Sequence, residues 1–335
     1  VQAALPLLPR RRLKVLQGFI DQFWPSTIDG LALGSIYALI ALGYTMVYGV
    51  LRLINFAHSE IFMIGTFAAL AVLQALSPSP VGGIALIGMV LLLAVVAGVA
   101  SGGSAVILEY VAYRPLRRRG ASRLAALISA IGASIFLQQL FARVVVPWWF
   151  DLPKEKGPLP LQQQFVERSN LVSIGNFVVS NDKFIIFAGA IVMMIALDLV
   201  VNRTKLGRGI RATAQDPETA VLMGVNIDRI VTATFAIGGA MAGVAAALYM
   251  MRFEETWYFV GFLLGIKAFT AAVLGGIGNL RGALAGGLAL GLIEMYGSSI
   301  FGSQWRDVVA FSVLVLVLMF RPTGIFGESL QQARA

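Results

Sequence analysis

The sequence has no cysteine and a single histidine, His58. Without thiols there is neither a disulfide framework nor a thiolate metal site, and the redox compartment leaves no mark. A lone histidine with no nucleophile and no further ligands beside it builds neither a hydrolytic triad nor a metal centre. Charge is also scarce. Charged residues make up 13% of the chain, about half the share in an ordinary soluble protein. Paired acids are missing from the apolar runs, which argues against a membrane-embedded enzyme. None of the glycine-rich patterns that cradle phosphates occurs, so ATP, if used, binds to another chain. The remaining charge is positive in balance, +9 over 335 residues. Its Lys and Arg residues cluster between apolar runs, as in the cytoplasmic loops of a membrane protein, and do not suggest a nucleic-acid partner.

Apolar residues are what the chain has in excess: 58% of the total, with a mean hydropathy of +0.82. A soluble chain of this length builds its cores with less. The natural solvent for the excess is membrane lipid, where only helices and closed barrels satisfy their own backbone. Barrel strands are short and alternating, whereas the runs here are long and unbroken. The predicted fold is therefore all-α, a polytopic transmembrane helical bundle. Runs near the length needed to span a bilayer occupy 30–50, 61–76, 81–111, 124–142, 184–201 and 230–251. The final third, 259–320, holds three more, broken near 279–281 and 302–304. The total is about nine membrane segments, broken or re-entrant ones included.

Arg114, Arg117, Arg118, Arg119 and Arg123 mark one loop, and Arg203, Lys205, Arg208, Arg211 and Arg229 another. Both should be cytoplasmic. The long polar segment 147–183 lies one span from each and falls outside, while Arg321 and the C-terminus fall inside. The basic run 10–14 then lies outside, against the rule, unless 13–24 forms an interfacial or re-entrant helix. The organisation expected is an N-terminal extension, 1–26, a permeation domain, 27–326, and a tail, 327–335. The first residue is Val1, which leaves room for a start or leader ahead of it, and the run 10–14 lacks the pattern of a signal peptide.

Glycines repeat at four-residue spacing within the spans: Gly30/Gly34, Gly98/Gly102, Gly239/Gly243, Gly282/Gly286 and Gly287/Gly291. Such spacing clears one helix face and lets another helix approach closely, within the chain or in a second subunit. The repeated Gly-Leu-Ala-Leu-Gly at 30–34 and 287–291 hints weakly at an internal repeat.

Three constellations can carry function. The loop 203–229 contains Asp216-Pro217-Glu218, a helix start by its proline and acids, with Gly224 as the stop. Such a helix suits a partner's grip; the plainer reading is a solvated connector. Asn55-Phe-Ala-His58-Ser-Glu60 enters a short span. These residues can simply cap that helix, or they can form a gate. Lys267 lies inside an apolar run and can pair with Glu294, snorkel, or line a path for a carboxylate. Beyond it, Gly275 and Gly276 can break a helix and expose backbone groups to a substrate, or serve packing alone.

The stretch LGRGIRATAQDPETAVLMGVNIDRI, followed by TFAIGGAMAGVAAAL, resembles the permease subunits of high-affinity branched-chain amino acid ABC importers. The blocks GSIYALIALGYTMVYGVLRLINFAHSEIFMIG and GIKAFTAAVLGGIGNLRGALAGGLALGLIE resemble the same family, and the likeness covers roughly 27–326. Glu218-Thr-Ala, three residues, then Gly224 is similar to the core of the loop by which ABC permeases contact their ATPases. Thr219 there replaces alanine, and the distal part of the motif is absent. Ser59 stands where the family usually has glycine, which makes the local backbone there a point to inspect. The resemblance implies ATPase coupling through Asp216, Pro217, Glu218, Ala220, Gly224 and Asn226. It raises a pathway role for Asn55, His58 and Glu60, with Lys267, Gly275 and Gly276 as further candidates. It implies a second homologous permease, two ATPase subunits that bind ATP and Mg, an extracytoplasmic amino-acid-binding protein, and a bacterial inner-membrane location. The chain itself would hold no cofactor or metal. The alternatives are a urea or short-amide importer of the same class, and a stand-alone secondary transporter with Glu294, Glu109 or Asp198 as ion-coupling carboxylate.

Overall fold

The computed structural model describes residues 10–77, 79–150, 159–160, 164–174, 177–321 and 323–327. The first nine residues of the N-terminal extension and the tail beyond 327 lie outside the described residues. The long helices are α1 (Arg10–Leu51), α2 (His58–Leu76) and α3 (Gly83–Leu108), which continues through a wider turn into the short α4 (Arg114–Arg118). Next come α5 (Arg123–Leu140), prolonged to α6 (Val146–Trp149), and α7 (Asn181–Arg203). Two shorter helices, α8 (Lys205–Gln215) and α9 (Pro217–Leu222), precede α10 (Ile227–Phe253), α11 (Val260–Gly275), α12 (Leu280–Phe301) and α13 (Arg306–Phe320). Among the described residues eight helical stretches are long and apolar enough to cross a membrane, and α11 is a shorter apolar helix beside them. The nine agree with the apolar runs of the sequence.

Two ribbons occupy the polar connections. β1 (Leu159–Pro160) pairs antiparallel with β4 (Glu255–Thr256), and β2 (Asn170–Ile174) forms an antiparallel hairpin with β3 (Phe177–Ser180). The segment expected as a plain loop at 147–183 therefore contains strands, and its ends are helical through Trp149 and from Asn181.

Burial sorts the bundle into a centre and a periphery. In the most apolar window of α1, 89% of the residues are buried, against 22% in α7 and 6% in the last span. The centre is glycine-built. A Cβ on Gly34 would lie 2.7 Å from the Gly287 carbonyl oxygen, so the two Gly-Leu-Ala-Leu-Gly segments face each other across α1 and α12. A Cβ on Gly239 would lie 2.8 Å from the Ser101 carbonyl oxygen and 3.0 Å from Gly102 Cα, so the α3 and α10 glycine pairs also meet. The neighbours that the glycine spacing called for are thus internal.

Ion pairs mark the two ends. At one, Glu109 bonds to Arg114 and Arg117, and Asp228 to Arg117 and Arg118. At the other, Arg252 pairs with Asp29 and Asp182, and Lys183 with Asp29. The described backbone from Arg10 is helical and continuous with the first span, entering at this second end, opposite the Arg-rich loops.

Candidate functional site

The turn between α1 and α2 folds back into the bundle. His58 opens α2, yet its ring lies 4.7 Å from that of Tyr44 and fills the space beside Gly43. Gly43 is eight residues, or ~12 Å, short of the end of α1. The polar residues Asn55, His58, Ser59 and Glu60 are all buried in consequence. The helix expected from residue 61 starts at His58 because these polar side chains are sequestered and not solvated. Tyr113 donates to Asn55 Oδ1 at 2.9 Å, whereas Asn55 Nδ2 and His58 Nε2 have no partner among the described residues. Ser59 occupies ordinary helical backbone, its hydroxyl 2.8 Å from the Phe56 carbonyl. It abuts Gly265 of α11, where any Cβ would collide with it.

Glu60 is fully buried and ties α2 to α5. Its Oε1 receives Gln138 Nε2 at 2.8 Å and Ser134 Oγ at 3.1 Å, with Ser59 Oγ also at 3.1 Å. Its Oε2 has no partner, and no cation reaches the carboxylate among the described residues. Ser134 and Gln138 were not singled out in the sequence, although they stand four apart in an apolar run and hence on one helix face.

Lys267 and Glu294 do meet, Nζ to Oε1 at 2.8 Å. Asp307 of α13 adds a second carboxylate at 2.7 Å, and Tyr37 donates to Glu294 Oε2 at 3.0 Å. Arg306 approaches Glu294 at 3.7 Å. Lys267 is two residues past Gly265, roughly 200° round the helix, so it points away from the α2–α11 contact and into this ion-paired cluster. Of the other carboxylates considered for ion coupling, Glu109 is paired with arginines and Asp198 accepts from Asn202 at 3.0 Å.

Gly275 ends α11, and Gly276 and Gly278 both have φ of +101°, which favours glycine. The carbonyls of Leu274 and Gly275 are taken by the N–H groups of Ile325 and Phe326 at 2.8 and 3.2 Å. Asn279 caps α12 by accepting from Gly282 N–H at 3.1 Å and donates to the Phe326 carbonyl at 3.0 Å. The helix break is thus a joint closed by the chain's own C-terminal segment.

The loop 203–229 holds two helices. Asp216 starts α9, its Oδ1 accepting the N–H groups of Glu218 and Thr219 at 3.0 and 3.2 Å. The Thr219 hydroxyl first, then these N–H groups, hold the Asp216 carboxyl below the ordinary aspartate range. Pro217 takes the first helical position. Ala220 is buried, and Gly224 turns the chain at φ +84° with its N–H on the Val221 carbonyl at 2.9 Å. Asn226 caps α10 by accepting from Arg229 N–H at 3.0 Å. Leu222 and Met223, 86% and 80% exposed, form an apolar tip. Behind it, α8 rests on α10, with Gly209 against Ile230, and Arg52 of the α1 end donates to the Ala214 carbonyl at 3.1 Å. The sequence reading missed α8, whose two glycines disguise it.

What these apolar helices and the charged loops between them define is a multi-pass membrane protein. The family model described as branched-chain amino acid transport system / permease component matches residues 26–318, and the chain belongs to that family. It is 45% identical over 309 residues to the high-affinity branched-chain amino acid transport system permease protein BraD of Pseudomonas aeruginosa, covering 92% of this chain and 97% of that one. It is 41% identical over 309 residues to the permease protein LivH of Escherichia coli K12, covering 91% and 96%. A probable LivH of Methanocaldococcus jannaschii is 27% identical over 303 residues, covering 88% and 89%. No solved structure matches.

Proposed function

We propose that this permease subunit translocates branched-chain or related neutral amino acids across the inner membrane in an ATP-driven importer. The observation that carries the reading is the near full-length identity with BraD and LivH. The partners are a second homologous permease, two ATPase subunits that bind ATP and Mg, and an extracytoplasmic amino-acid-binding protein. The Arg-rich end faces the cytoplasm, and the hairpin end meets the binding protein. Closure of the ATPases moves α9, held by Asp216, Pro217, Ala220, Gly224 and Asn226 and presenting Glu218 with the Leu222–Met223 tip. The motion reaches α1 and α10 through α8, and the spans switch the path from outward-open to inward-open. Asn55, His58 and Glu60 border that path. The binding protein sets most of the selectivity, so the path itself needs few polar contacts.

In proteoliposomes, leucine accumulation should require ATP and the ATPase subunits. Glu218→Lys combined with Gly224→Asp should abolish both uptake and ligand-stimulated ATP hydrolysis. Survival of both in the double variant would sink the docking assignment. Uptake in vesicles lacking any ATPase would point instead to a stand-alone transporter.

A further inference from the structure

A cavity of about 390 Å³ lies at the basic end, where α4, α5, α8, α9 and α10 meet the end of α1. Leu53, Leu116, Ala126, Ile227 and Val231 give it apolar walls. Among the described residues, its charged lining consists of Arg117 and Arg123, both positive. Asp216, Glu218 and Asp228 adjoin lining residues in the chain but do not line the cavity themselves. The surroundings stay positive after pairing. Arg114, Arg117 and Arg118 share two carboxylates, Glu109 and Asp228, which leaves one positive charge over. Arg123 adds another, since its exposed side chain has no ion pair or hydrogen bond among the described residues. Arg117 Nη1 and the Thr213 hydroxyl also have no partner among the described residues, but neighbouring atoms cover them. A negative group in the cavity therefore meets Arg123, at a mouth that the exposed Ala121 and Pro217 complete. Next to Arg123 on α5, Leu124 and Ile128 are 63% and 62% exposed and face lipid, so the mouth opens where lipid head groups and cytoplasm meet. Basic pockets between spans on the cytoplasmic side suit anionic head groups. A cavity of about 150 Å³ in another protein accepts the six carbons of benzene, and on that scale this one takes an aliphatic chain of about ten. An amino acid would bring an ammonium that no lining carboxylate answers.

We propose that this cavity binds an anionic amphipath. Its acidic head, a carboxylate or a phosphate diester, pairs with Arg123, and its aliphatic body lies against Leu53, Leu116, Ala126, Ile227 and Val231. The source is a free alkyl carboxylate or an anionic phospholipid of the cytoplasmic leaflet. Thr213 of α8 and Pro217 of α9 belong to the same wall, so the ligand ties the α8–α9 loop to α1, α5 and α10. The inference goes beyond the importer reading and does not depend on the cargo.

The absence of cysteine from this chain allows a direct test. Leu53→Cys, in the half-buried wall, is placed in the otherwise unaltered chain. The chain is purified with its bound subunits and reconstituted in phosphatidylcholine vesicles, and maleimide labelling is read on this chain. Decanoate should slow labelling about fivefold more than decanol or decylamine does, the upper range of an exposed ion pair. In a second arm, vesicles containing phosphatidylglycerol replace the decanoate. Slowing by decanoate alone identifies a free carboxylate as the source, and slowing by phosphatidylglycerol that decanoate does not increase identifies the phospholipid. Adding Arg123→Gln should remove the protection in either arm and leave unliganded labelling unchanged, whereas a mere surface-charge effect of the vesicles would persist in it. Equal protection by decanol or decylamine, protection that survives Arg123→Gln, or none in both arms would overturn the proposal. If the Arg123→Gln chain does not fold, the contrast between decanoate and decylamine in the single-cysteine chain decides alone. Leucine uptake is not read in this experiment, so its outcome stands apart from that of the importer reading.

Discussion

A lysine at membrane depth is tolerated here because two carboxylates pair with it. Lys267 contacts Glu294 and Asp307, and Tyr37 satisfies the second Glu294 oxygen. Removing one member leaves an uncompensated buried charge. Lys267→Met should lower stability by ~3–5 kcal/mol, and Lys267→Met with Glu294→Met should recover part of it; thermal unfolding in detergent measures both. A single variant as stable as wild type would contradict the cluster's role. Asp216 makes a different prediction. Its folded-state pKa is depressed, so the cap's contribution is present above the unfolded value of ~3.9 and is lost only as pH falls through the lowered one. Across about pH 5–8 this group should leave coupled ATP hydrolysis flat. Asp216→Ala should impair coupling at every pH in that window, and Asp216→Asn, which keeps a capping oxygen, should retain more. The Lys267–Glu294 pair was readable as an option in sequence. Asp307 and Tyr37 were not, because they come from α13 and α1 and only the fold brings them together.

At the scale of elements, glycine determines which helices touch. Gly34→Leu should force α1 from α12, and Gly243→Leu should force α10 from α3, since backbone lies where the side chains would go. Both should lower folded yield and the detergent unfolding temperature. Gly132→Ala on α5 meets open space and should be neutral or slightly stabilising, as Ala is favoured over Gly in helices by up to ~1 kcal/mol. A destabilised Gly132→Ala alongside a tolerant Gly34→Leu would reverse this reading of the bundle. The spans were legible because length and hydropathy alone specify a membrane helix. The start and stop of α9 were legible because Asp, Pro and Gly act through local backbone chemistry. The inward fold of 52–57 was not, because Asn55, His58 and Glu60 have the composition of a solvated turn, and their burial is set by Gly43, Gly261 and Gly265 on other helices. The hairpin was missed because its strands are too short to show an alternation, and α8 because Gly207 and Gly209 weaken its helix signal.

For the whole molecule, the periphery is as informative as the centre. α3, α5, α7 and α13 turn Val95, Ile135, Leu199 and Phe320 outward, an apolar flank suited to lipid and a second permease. At the basic end α9 is a capped helix with an exposed apolar tip, Leu222 and Met223. The central claim is that this tip engages ATPase subunits. The most direct test is co-purification from detergent-solubilised membranes with a tag on this chain, compared with Gly224→Asp. At φ +84° and with open space around it, Gly224 gives its variant a backbone penalty of ~1–2 kcal/mol confined to the loop. The account predicts that ATPase subunits accompany the wild-type chain and are lost from Gly224→Asp, while the second permease remains bound to both. Recovery of the chain without ATPases in both cases would contradict it.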